Sequence, residues 1–129
     1  MSELDVCINA CLECAMVCTA CADACLAEEQ REELIRCIRL DADCADLCGV
    51  TARVLSRQTE IDRRVVEGLL SACTQACALC ADECARHAEH MEHCRVCEEA
   101  CRACQEACGR LSAGADVVTE TGADFTMLH

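Results

Sequence analysis

Apolar residues recur along this chain at alternating spacings of three and four positions, in four separate segments. That spacing keeps one stripe of side chains on a single face of an α-helix. It predicts four helices, over residues 3–27, about 30–56, about 59–87 and about 90–111. Because the segments are similar in length and their connections are short, we predict an all-α, antiparallel up-down-up-down four-helix bundle.

Polar residues at the segment boundaries support these helix limits. Ser2 is followed three positions later by Asp5, and Thr59 by Asp62, which is close to the capping signal of a helix start. The charged stretches AEEQREE and RHAEHMEH predict the turns after the first and third helices. The polar stretch SRQT predicts the turn between the second and third.

The stripes are built mainly from cysteine. In CINACLECAMVCTACADAC every stripe position is a thiol, and CTQACALCADEC and CRVCEEACRACQEAC repeat the pattern. A bundle with these stripes turned inward has a cysteine-lined core. All 18 cysteines of the chain fall on the four stripes: Cys7, Cys11, Cys14, Cys18, Cys21, Cys25, Cys37, Cys44, Cys48, Cys73, Cys77, Cys80, Cys84, Cys94, Cys97, Cys101, Cys104 and Cys108.

Length and composition indicate a single domain with an unusual core and a separate C-terminal tail. The 129 residues include no Trp, Tyr or Pro and a single Phe, so the core lacks the bulky side chains that usually dominate burial. This length forms one domain. After residue 111 the sequence changes to Gly, Ala, Thr and Asp, so we predict a bundle over 1–111 and a loosely ordered C-terminal tail over 112–129.

Cysteine-rich short chains are typically secreted disulfide scaffolds, but this chain lacks the signals of that class. The start, MSELDV, has neither a basic n-region nor an apolar h-region, and no uncharged run long enough to span a membrane is evident. We therefore expect a cytoplasmic protein with reduced thiols. The net charge of −13, without a basic patch, argues against nucleic acid and membrane partners.

Thiols at this density favour a soft metal ion. Disulfides within a helix are strained, because i and i+4 Cβ atoms lie about 5–6 Å apart and a disulfide needs about 3.5–4.5 Å. As an ordinary core, so many small side chains leave the bundle axis underfilled. Cu(I) accepts two or three thiolates, and one Cu⁺ replaces each lost proton, so the core stays nearly neutral. We predict Cu(I) storage at about one ion per Cys, without catalysis.

Three alternatives remain open. Long thiol stripes are able to hold zinc or cadmium, although structural zinc usually takes four ligands from loops or knuckles. An iron–sulfur or redox carrier is a second alternative, but the looped bacterial cluster motif ending in Pro is missing. The third is transfer of copper to a partner, which needs only one or two exposed sites.

On these motifs, over residues 3–111, the chain resembles the bacterial copper storage proteins, and its start resembles their cytosolic branch. The resemblance implies a four-helix bundle whose bore holds many Cu(I) ions, and a homotetramer. It also implies histidines near one mouth of the bundle, where this chain has RHAEHMEH. Asp41 departs from the all-thiol stripe of the second helix, and we expect it to have a structural role rather than to bind the soft ion.

The two ends of the predicted bundle differ. Leucines and a valine extend the stripes at one end and predict an apolar plug, which we call the closed end: Leu4, Leu55, Val66, Leu70 and Leu111. At the other end, the mouth, the stripes lead to His87 and His90, with Met91 beside them as a further soft ligand. His93 falls one position off the stripe and is expected to matter less. We predict that copper enters at the mouth.

Overall fold

The computed structural model describes residues 1–114, and this part of the chain forms four α-helices. The prediction of an all-α four-helix fold is confirmed. A short 3₁₀ helix, Arg31–Leu34, precedes the second α-helix and occupies part of the predicted helix from residue 30. The helices are α1 (Glu3–Leu26), α2 (Ile35–Ser56), α3 (Arg63–Ala85) and α4 (Glu92–Ala113).

The helix starts agree with one of the two capping predictions. Ser2 caps α1, and its hydroxyl accepts a hydrogen bond from the backbone N–H of Asp5 at 3.1 Å. The predicted start at Thr59 is wrong. Glu60 has a positive φ of 56°, outside the helical region, and the cap is Asp62, which accepts from the Arg64 N–H at 2.9 Å.

The four helices surround a single core. Helix α1 packs against α2 and α4, and α3 packs against the same two helices. The short connections reverse the chain direction after each helix, which gives the predicted antiparallel bundle. At the closed end, all five predicted plug residues are buried within this core: Leu4, Leu55, Val66, Leu70 and Leu111.

Two described helices, α1 and α3, reach the length and apolar content of a membrane span. Both helices also carry charged residues, so neither contains the long uncharged run that was expected to be absent, and their apolar content has another cause. The cause is composition, because cysteine and alanine count as apolar and α1 alone carries six cysteines. Those cysteines face the core of the bundle, and an apolar core helix gives the same signal.

The predicted boundary between bundle and tail falls near the end of α4, which continues to Ala113. Most of the predicted tail, residues 115–129, lies outside the described residues. The division at residue 111 therefore stays a prediction.

Candidate metal centre

The bore, the space enclosed by the four cysteine stripes, contains every thiol of the chain. All 18 cysteines are buried, with at most 1% of their surface exposed, and all are free thiols. The helices place them there because each stripe repeats at intervals of three and four, which returns to the same helix face on every turn. The thiol-lined core predicted from the sequence is present.

The sulfur atoms form a column that runs from the closed end to the mouth. Sulfurs on different helices approach to 3.4–3.8 Å, well beyond the roughly 2.05 Å of a disulfide bond. A small ion bridging such neighbours would contact sulfurs of two or three helices. Inter-helix pairs along the column include Cys7–Cys108 at 3.4 Å, Cys48–Cys73 at 3.6 Å, Cys18–Cys101 at 3.6 Å and Cys37–Cys84 at 3.7 Å.

Groups of four ligands recur at several levels of the column. In each group the ligand atoms all lie within 4.8 Å of one another. Three of the four all-thiol groups named below share members, for example Cys14, Cys18 and Cys101, so these three sites form a connected series. The all-thiol groups include Cys11, Cys73, Cys104 and Cys108; Cys14, Cys44, Cys48 and Cys77; Cys14, Cys18, Cys44 and Cys101; and Cys18, Cys80, Cys97 and Cys101.

Asp41 interrupts the thiol column and is fully buried. Its Oδ1 accepts hydrogen bonds from the thiols of Cys80 at 3.0 Å and Cys97 at 3.2 Å, with Cys84 at 3.7 Å. Its Oδ2 lies 3.9 Å from Cys37 Sγ. Burial raises the pKa of Asp41 to about 8. Asp41 therefore has hydrogen-bond partners in the core, and its expected structural role, as opposed to metal binding, stays a prediction.

The Cys25 thiol, near the mouth, favours its protonated form when metal-free, because its pKa is raised. Burial raises the pKa of the Cys25 thiol, and negative charge on Cys37 and Cys94 raises it further. A buried column of thiolates without cations is therefore unfavourable. A monovalent cation that replaces each thiol proton leaves the charge of the bore unchanged. A divalent ion bound at one ion per thiol would instead add one positive charge for each ion.

His93 contacts the thiols at the mouth, although it falls one position off the stripe and was expected to matter less. Its Nδ1 lies 3.5 Å from Cys21 Sγ and 3.6 Å from Cys94 Sγ, and 4.0 Å from Cys25 Sγ. With these three cysteines it forms a further ligand group within 4.8 Å. The column therefore ends at an imidazole.

The other predicted mouth residues lie around this group. His87 Nε2 is 3.1 Å from a carboxylate oxygen of Glu83, a buried residue that also pairs with Arg36 and Arg86. His90 is exposed on the turn, and Met91 is buried. Participation of His87, His90 and Met91 in metal binding stays a prediction.

The start of α4 explains why periodicity does not identify His93. An extension of the stripe back from Cys94 leads to His90, but α4 begins only at Glu92, and Met91 has an extended backbone with φ −135° and ψ 111°. His90 is therefore outside the helix. His93 is four residues before Cys97, one turn above it on the same face, and that spacing is the signal that the sequence offers.

Together the bundle and the bore define a class: a helical protein that holds many soft metal ions with thiolates. The sequence profile of the copper storage protein family matches residues 1–113. This chain belongs to the copper storage protein family.

Three similar proteins, two of them described as copper storage proteins, have the following likeness to this chain. The chain is 56% identical to the cytosolic copper storage protein from Streptomyces lividans, solved with five coppers (TM-score 0.87; 88% of this chain and 95% of that one). It is 31% identical to the Cu(I)-bound copper storage protein BsCsp3 of Bacillus subtilis (TM-score 0.77; 87% and 100%). It is also 34% identical over 93 residues to the Bacillus subtilis cysteine-rich protein YhjQ, covering 72% of this chain and 81% of that protein.

Proposed function

We propose that this protein stores Cu(I) in the cytosol, in the bore of its bundle, and catalyses no reaction. The observation that carries the proposal is the column of 18 buried free thiols, most within reach of sulfurs on other helices. Soft thiolate ligands select Cu(I) over hard cations, and its two- or three-coordinate sites fit closely spaced sulfurs. The cytosolic and Cu(I)-bound states of the similar proteins support the compartment and the oxidation state.

Anaerobic titration of the fully reduced protein with Cu(I) tests storage. If neighbouring ions share thiolates along the column, binding continues to about one ion per thiol, or about 18 per chain. Saturation at only one to four ions would contradict storage and favour copper transfer to a partner or zinc binding. A parallel titration with Zn(II) tests the zinc alternative, which is favoured if zinc rather than Cu(I) fills the bore.

Copper is proposed to enter at the mouth, by way of His87, His90 and Met91 together with His93. The buried leucines of the closed end offer no ligand, whereas the mouth carries imidazole and thioether groups. The double variant His87→Ala/His90→Ala is expected to load several-fold more slowly at nearly unchanged capacity, as measured by stopped-flow absorbance of the copper–thiolate bands. Unchanged rates, or metal that appears first beside Cys7 and Cys108 in partly loaded crystals, contradict this polarity.

The protein is also proposed to be a homotetramer. Several apolar side chains remain exposed on the single chain, including Leu12 at 52%, Leu79 at 49% and Val96 at 39%. Contact between copies would remove this surface from water. Sedimentation velocity is expected to give the mass of four chains, and a monomer at micromolar concentration contradicts the assembly.

A further inference from the structure

The two ring nitrogens of His93, the imidazole at the mouth, contact different groups. His93 Nδ1 faces the thiols of Cys21, Cys25 and Cys94, at 3.5–4.0 Å. Its Nε2 lies on the opposite edge of the ring, 2.9 Å from a carboxylate oxygen of Glu28. Glu28 belongs to the turn after α1, so the contact joins this turn to the start of α4.

The turn holds the Glu28 backbone in place for this contact. The Glu28 N–H donates to the carbonyl oxygen of Cys25 at 3.2 Å. Its own carbonyl accepts from the Arg31 guanidinium, also at 3.2 Å. The side chains of Glu28 and His93 are only 31% and 23% exposed. The first of these hydrogen bonds ties the Glu28 backbone to Cys25, at the end of the thiol stripe that His93 faces.

The contact determines which nitrogen of a neutral ring carries the proton. A carboxylate only accepts hydrogen bonds, so Nε2 carries the hydrogen and Nδ1 keeps its lone pair. Only a nitrogen with a free lone pair binds a metal ion. Partners of this kind fix the tautomer and orientation of histidine ligands in metal sites, and their loss typically costs 10–100-fold in affinity or activity.

We propose that Glu28 is the positioning residue of the mouth. Its carboxylate holds His93 in the tautomer and orientation that direct the Nδ1 lone pair at Cys21, Cys25 and Cys94. An incoming Cu(I) ion would then bind a preformed site made of one imidazole nitrogen and these thiolates. The role in copper capture rests on the proposed storage function. The effect on the tautomer does not.

The tautomer is measured on the metal-free protein by long-range ¹H–¹⁵N NMR at about pH 8, where an ordinary imidazole is neutral. The protein as it stands is expected to show the Nε2–H form of His93. Glu28→Ala removes the acceptor and is expected to give a mixture of tautomers. Glu28→Gln keeps a carbonyl acceptor and is expected to retain the Nε2–H form. An unchanged tautomer in Glu28→Ala overturns the proposal, whatever the copper capacity is.

The rate of binding of the first Cu(I) equivalents provides the second readout. Glu28→Ala is expected to slow this phase about tenfold, and Glu28→Gln to restore most of the rate. Glu28→Ala combined with His93→Ala is expected to be no slower than His93→Ala alone, because Glu28 acts through the ring. Glu29→Ala removes the same charge from an exposed neighbour in the turn, and is the matched control.

The controls separate a hydrogen-bond effect from a charge effect. Equal slowing in Glu29→Ala, or additive slowing in the double variant, overturns the positioning role. If the protein binds only a few Cu(I) ions but His93 shows the expected tautomers, storage is refuted. The positioning of the His93 ring by Glu28 would still stand.

Discussion

Filling the bore with Cu(I) is expected to raise the thermal midpoint of unfolding by more than about 10 °C. Each ion that binds the folded chain and not the unfolded one stabilises it, by about 4 kcal/mol at a free concentration 1,000 times the dissociation constant. Bridged sulfurs from several helices also replace the contacts that an underfilled bore lacks. Circular dichroism of the reduced protein with and without Cu(I), under anaerobic conditions, measures the change in the midpoint.

The same experiment tests whether the bore exists before metal arrives. The metal-free chain is expected to remain helical, because the leucine plug and the good helix formers along α1–α4 do not depend on copper. Removal of copper with a strong chelator should return the midpoint to its starting value. An unfolded metal-free chain would mean that copper drives folding, as zinc does in zinc fingers, and an unchanged midpoint would contradict binding in the core.

The metal-free protein is expected to lose stability as the pH rises from about 4 to about 8, and Asp41→Asn is expected to remove most of that loss. Burial raises the pKa of Asp41 from 3.8 to about 8 in the folded chain. Between these values the folded state binds the proton and the unfolded state does not, so the stabilisation is complete below pH 4 and lost through pH 8. We expect the free energy of unfolding to fall by up to about 6 kcal/mol across the window, since the pKa differs by about four units between the two states and each unit corresponds to about 1.4 kcal/mol.

Urea unfolding of both proteins at several pH values measures this difference. Asn keeps the size of the side chain and a carbonyl acceptor for the thiols of Cys80 and Cys97, but does not titrate. Surface carboxylates contribute equally to both proteins and cancel in the comparison. Identical pH profiles for the protein and Asp41→Asn would show that the carboxyl ionises freely in the folded state.

The bore was predictable because all 18 cysteines carry the same periodic pattern. Every thiol falls on a stripe with a spacing of three and four, so an error of one or two residues in a helix boundary leaves the inward face unchanged. The closed end was predictable for the same reason, since Leu55 and Leu70 continue those stripes inside long helices. Both features depend on the periodic spacing of residues along a helix, which can be read directly from the sequence.

The mouth was not predictable in the same way, because it depends on where helices end. The extended backbone of Met91 starts α4 at Glu92, which leaves His90 on the turn and puts His93 against the thiols. The partner of its ring, Glu28, is 65 positions away in sequence and belongs to the turn after α1. Periodicity within one helix contains no information about such a contact with a distant turn.

The number of Cu(I) ions bound per chain tests the storage account most directly. It is measured by anaerobic titration against a chelator of known affinity, followed by gel filtration and elemental analysis. The reduced protein is expected to bind about 18 ions, and replacing the two thiols of the Cys7–Cys108 pair with serine should lower that number by about two. Saturation at one to four ions, or a capacity unaffected by the loss of bore thiols, would contradict storage in the column.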